Sequence, residues 1–189
     1  MTDDRDVSSV RSPAGRALVA VVLFTVVVVG GVFLVVNRLH SSAANAVEHP
    51  GPAATDAQTQ SEVVDQAKDI VAIAALQQPT AGYLLMSCKD HDNPPYQGAV
   101  YLDFQLPPDV GADQYFRTIA AAMVAHGWRE GLPPNQHIFG RNLSKDGVNA
   151  ILYPDRDSPT HGVGRIYGQC HDMNDHRGAA WVDVTDRLH

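Results

Sequence analysis

Residues 98–106 read GAVYLDFQL, and this stretch decides the fold class. Val100, Leu102, Phe104 and Leu106 fall on one side of an extended chain, while Tyr101, Asp103 and Gln105 fall on the other. Such period-2 alternation marks a strand with one face on a core and the other toward solvent. Pro107-Pro108 ends it, since proline has no N–H to give a ladder. Just upstream, 83–88 (YLLMSC) reads as a second strand, and Asn93-Pro94-Pro95 makes the loop between the two.

Helical spacing flanks this pair. Over 61–77, Val63, Val64, Ala67, Ile70, Val71 and Ala74 share a face, Thr59 with Glu62 fits a capping box, and Pro79 ends the run. Over 112–126, Phe116, Ile119, Ala120, Met123 and Val124 form a stripe that Asp109 or Asp113 can cap. Gly127 supplies the left-handed position that closes such a helix, and Trp128 folds back on the core. Short strands are expected at 137–142, 148–153 and 163–170, with Asp146-Gly147 turning the first into the second. The tail around Trp181 reads as loosely structured. The order α-β-β-α-β-β-β predicts an α+β domain, a small antiparallel sheet with two helices on one face.

Ahead of that domain, residues 17–36 run for twenty positions without a charge, and fifteen of them are Val, Leu or Phe. At about 1.5 Å per residue they span roughly 30 Å, the thickness of a hydrocarbon core, so a single transmembrane helix is expected to precede the domain. Arg5, Arg11 and Arg16 precede the run and only Arg38 follows it, which places residues 1–16 in the cytoplasm and the rest outside the plasma membrane. Ala44-Asn45-Ala46 offers the alternative of a cleaved leader, although the run is longer than a usual leader core. No cysteine follows the run closely, which argues against a lipid on a sulfur. Residues 37–59 are rich in Ser, Ala, Pro and Gly and read as a flexible stalk, leaving 60–189 as the extracytoplasmic domain.

The whole chain has 189 residues, is 44% hydrophobic and carries a net charge of −7. After residue 40, ten Lys and Arg face eighteen Asp and Glu, so phosphate backbones would be repelled and no nucleic-acid partner is expected. No nucleophile elbow, phosphate loop or zinc-protease helix occurs, and no residue is assigned a catalytic or cofactor-binding role. The expected role is a non-enzymatic binding module for an envelope protein or component, with the strand face of Tyr101, Asp103 and Gln105 as a surface.

Cys88 and Cys170 are the only cysteines, and an outward, oxidising location predicts that they pair. The alternative is a reactive thiol with a histidine as base. Pairing would bring 88–93 (CKDHDN) against 170–176 (CHDMNDH). His91, His171, His176 and Asp172 are then candidate ligands for a divalent metal, since imidazole and carboxylate are its usual donors. Two alternative functions follow: a metal-binding or hydrolytic protein built on that cluster, and a small-ligand or lipid carrier with a pocket between sheet and helices.

The stretches QQPTAGYLLMSCKDHDNPPYQGAVYLDFQLP, YFRTIAAAMVAHGW and GRIYGQCHDMNDHR resemble membrane-anchored or exported proteins of mycobacteria and related actinobacteria. The likeness covers about residues 60–180 and implies an envelope location with the folded domain outside the plasma membrane. It implies no catalytic residue.

Overall fold

The computed structural model describes residues 52–89 and 93–189. Helix α1 (Asp56–Ala74) begins at the N-cap Thr55, whose hydroxyl accepts from the Gln58 amide while the Gln58 side chain accepts from the Thr55 amide. This reciprocal pair satisfies two of the free amides at a helix start. The helix ends where Ala75 turns left-handed, at φ 49°. Strands β1 (Gln77–Ser87) and β2 (Tyr96–Gln105) pair antiparallel. Pro79 sits inside β1, tolerated because the register shifts between Gln77 and Thr80 and no ladder bond is needed there. Helix α2 (Ala112–Ala125) follows, then β3 (Arg129–Glu130), β4 (Arg141–Lys145), β5 (Val148–Pro154), β6 (His161–Tyr167) and β7 (Val182–Asp183), and finally a short 3₁₀ turn (Thr185–Leu188).

The strands form one antiparallel sheet in the order β3-β4-β5-β6-β2-β1-β7. Its inner face carries Ala81, Tyr83, Val100, Leu102, Phe104, Ala150, Leu152 and Ile166, all buried against Val63, Ala67 and Ile70 of α1 and Phe116, Ile119 and Met123 of α2. Asp146 and Gly147, with φ 49° and 86°, form the tight turn between β4 and β5.

Three expectations are corrected. The sheet has seven strands rather than being small, because β3 and β7 extend both edges. Residues 137–140 form a turn rather than a strand, and β4 starts only at Arg141. The tail is docked rather than loose. Val184 and Leu188 are buried in the core, the Ala81 amide donates to the Thr185 hydroxyl at 3.0 Å, and Lys68 Nζ donates to the His189 carbonyl at 2.6 Å.

The transmembrane helix expected ahead of the domain finds no support in the described structure. Among the described residues no helix is long and apolar enough to cross a membrane. The longest, α1, has 19 residues and carries Asp56, Glu62, Asp65, Lys68 and Asp69. Residues 17–36 lie outside the described residues.

Close packing at Gly162 yields a first test. A Cβ there would lie 2.5 Å from the ring of Phe104, which is fully buried between sheet and α2. Gly162→Ala is therefore expected to cost about 1–3 kcal/mol by overpacking, read as a lower urea midpoint with an unchanged slope.

Candidate functional site

Two places on the domain gather polar chemistry. The first lies where the chain leaves β6 and passes beneath the start of α1. Cys88 and Cys170 are joined by a disulfide, with Cα atoms 6.0 Å apart. Two residues on, Asp172 forms an isolated antiparallel bridge with Tyr96, exchanging backbone bonds of 2.7 and 3.1 Å. That bridge carries the Asp172 carboxylate into the interior, where it is fully buried. Its Oδ1 accepts from the Asn174 amide at 2.9 Å, and its Oδ2 accepts from the Thr59 hydroxyl at 3.5 Å. The Asn174 side chain also donates to Asp56 Oδ1 at 2.7 Å.

His176 closes this cluster. Its Nε2 lies 3.2 Å from Asp172 Oδ2 and 3.4 Å from Asp56 Oδ1, with the edge of its ring against Tyr96. Although both contacts are within ion-pair reach, neither is aligned as a hydrogen bond, and the nitrogen is buried. Tyr83 reaches the same region from the inner face of β1. It is 5% exposed, and its hydroxyl has no hydrogen-bond partner among the described residues. Burial, and next the negative charges of Asp172 and Asp56, push that phenol up to about 12.

The four residues expected as metal ligands are thus distributed unequally. Asp172 and His176 come together. His171 instead pairs with Glu62, Nε2 to Oε2 at 3.3 Å, and Glu62 also accepts from the Gln169 backbone and side-chain amides. His91 lies outside the described residues. Asp56 and Tyr83 were missed by sequence reasoning. Asp56 fell in the expected stalk, and Tyr83 reads as one more core aromatic on a strand.

The second place is the outer face of the sheet, away from both helices. Tyr101 lies at its centre, opposite Gly82 on β1 and Arg165 on β6. The Arg165 guanidinium stands 5.1 Å from the Tyr101 ring centroid and 5.7 Å from that of Tyr153, within cation–π range. His137 stacks on Tyr153 at 3.6 Å; burial, and then the nearby positive charges of Arg165 and Arg156, hold its imidazole below its ordinary pKa. Trp181 covers the Gly82 end. Its ring meets Tyr101 edge-on at 4.8 Å, and a Cβ on Gly82 would lie 3.1 Å from it, so only glycine lets the indole lie this close to the strand.

Between Trp181, Tyr101 and Val163 runs a groove of about 630 Å³, with Thr80, Asp103 and Asp183 supplying polar groups. Trp181 remains 52% exposed. Burial raises the Asp103 carboxyl above its ordinary pKa, opposed by His161 and assisted by Asp155. Of the surface expected from sequence, Tyr101 and Asp103 line this groove. Gln105 does not, although it shares their face of β2. The groove lies on the opposite side of the sheet from the pocket expected between sheet and helices.

A family model described as "Putative lipoprotein LppJ" matches residues 55–187. The chain is 38% identical over 189 residues to a Mycobacterium bovis protein of that same description, covering 99% of this chain and 96% of the relative. Two Mycobacterium tuberculosis strains hold proteins so described that are 38% identical over 160 residues, 84% of either chain. No solved structure matches the chain.

Proposed function

The chain belongs to the LppJ family, and from that premise we propose that residues 60–189 form a non-enzymatic, extracytoplasmic binding domain that holds an envelope glycan in the outer-face groove. The relatives' name, lipoprotein, supports attachment to a membrane with the domain outside it. Because Cys88 and Cys170 are bonded to each other, neither sulfur would be the point of attachment on this chain.

One observation carries the reading of the groove. A half-exposed indole packs closely over Gly82 beside Tyr101, in a groove that Asp103 and Asp183 also line. An aromatic face packs against the C–H side of a sugar ring, an apolar contact that water does not compete for. Carboxylates next to such a face accept hydrogen bonds from sugar hydroxyls, and a charged acceptor makes the stronger bond. A groove with apolar walls and a few fixed polar groups is the usual form of a small-ligand site.

Trp128 is buried and Trp181 is exposed, so fluorescence separates them. Titrating the chain with soluble envelope oligosaccharide should give a saturable blue shift from Trp181. Trp181→Ala should weaken binding by roughly tenfold or more, the loss expected of a central aromatic anchor. Asp103→Asn should weaken it less. A flat titration, or equal binding by Trp181→Ala measured calorimetrically, overturns the reading.

A further inference from the structure

We propose that Asp56, Asp172 and His176 bind a divalent transition-metal ion, zinc foremost. One ligand atom from each of the three residues lies within 4.8 Å of the others. Two edges of that triangle, from His176 Nε2 to Asp172 Oδ2 and to Asp56 Oδ1, are 3.2 Å and 3.4 Å. In a tetrahedral site with bonds of about 2.0–2.2 Å, neighbouring donors stand about 3.3–3.6 Å apart. One edge falls within that spacing and the other just below it.

The same atoms do not satisfy one another. His176 Nε2 is buried, and it is close to both carboxylates without a hydrogen bond to either. The Tyr83 hydroxyl supplies an independent indication. It is buried and without a partner among the described residues, on a side chain 5% exposed whose electrostatic neighbours are Asp172 and Asp56. A buried phenol left without a partner costs free energy. The surroundings are those of a supported site. Asn174 donates to both carboxylates and Thr59 to one, which fixes ligand orientation as outer-shell donors do at metal centres. Asp172 is fully buried, whereas the Asp56 side chain is 58% exposed, so the site has one side open for ion entry.

The choice of metal follows from the donors. One imidazole with carboxylates suits zinc, and manganese is the next candidate as the oxygen share rises. Bound there, the ion would tie the 172–176 loop to the first turn of α1, residues far apart in sequence. This inference is independent of the glycan groove, which lies on the other face of the sheet.

The test uses the whole chain, stripped with chelator and titrated with zinc ion alone. One equivalent should bind, with a rise in melting temperature. Asp56→Asn alters an exposed side chain and should keep the far-UV spectrum while weakening zinc binding by about tenfold or more. His176→Gln should do the same. His171→Gln, at the Glu62 pair, should bind zinc as the parent does. Uptake below about a tenth of an equivalent, or parental affinity in both Asp56→Asn and His176→Gln, overturns the proposal. So does equal loss in His171→Gln, which would mean scattered histidine binding.

Discussion

Trp128→Ala lowers the unfolding free energy by about 3–5 kcal/mol, the range for deleting a large buried aromatic. Trp128 is 2% exposed and among the largest fully buried side chains. Its placement is set locally. The Trp128 amide donates to the Met123 carbonyl at 3.1 Å, wrapping the chain back over the end of α2, and Gly127 at φ 90° allows that wrap. The indole then joins the buried core cluster that also holds Met123 of α2 and Leu143 of β4.

A second substitution separates size from polarity. The indole Nε1 is buried and has no hydrogen-bond partner among the described residues. Leaving such a donor unpaired costs about 1–3 kcal/mol, and Trp128→Phe removes that penalty while keeping most of the ring. Trp128→Phe should therefore lose much less than Trp128→Ala, by more than the difference in buried area alone predicts. Urea unfolding with a common slope measures both. An alanine variant within about 1 kcal/mol of the parent would mean that the core does not depend on this residue.

The same region shows what could be read from sequence. Alternation over 98–106 was legible because one face is buried and one is not, a contrast that survives without knowing the partner strands. The Asp146-Gly147 turn and the Gly127 helix end were legible because their backbone angles demand those residue types. The start of α1 was not. Thr55 with Gln58 and Thr59 with Glu62 both fit a capping box, and only the fold decides between them. Thr59 is drawn inward to Asp172 and Glu62 to His171, so neither is free to cap. Asp172 and His176 were singled out because they follow a cysteine. Asp56 was passed over because Ala and Pro around it suggest a stalk. The Arg165–Tyr101–Tyr153 array was invisible, since it needs β6 to lie beside β2, a pairing between strands that are not consecutive in sequence. The docked tail escaped for a related reason. Val184 and Leu188 bury themselves singly, against residues about a hundred positions earlier, and leave no periodic trace.

Cys88→Ser/Cys170→Ser gives the other large loss, up to about 4–5 kcal/mol in the chain-entropy account of a loop of some eighty residues. The bridged cysteines are 82 positions apart, and five of the seven strands, β2 to β6, lie with α2 inside the closed loop. Cutting it frees the unfolded chain far more than it disturbs the folded one. On the native side Cys88 stays anchored through its amide to the Pro95 carbonyl at 2.9 Å, and the 170–176 loop stays anchored through the two backbone bonds between Asp172 and Tyr96. The bridge should therefore act mainly on the denatured ensemble, and the signature is specific. The urea midpoint falls while the slope rises, because an uncrosslinked chain exposes more surface on unfolding. A fall in midpoint without a steeper slope would point to damage in the native loop instead, and hydrogen exchange at the Asp172 amide would then rise ahead of the β2 amides. A loss under about 1 kcal/mol would show that the sheet alone sets the stability and that the crosslink serves only to hold Asp172 beneath α1.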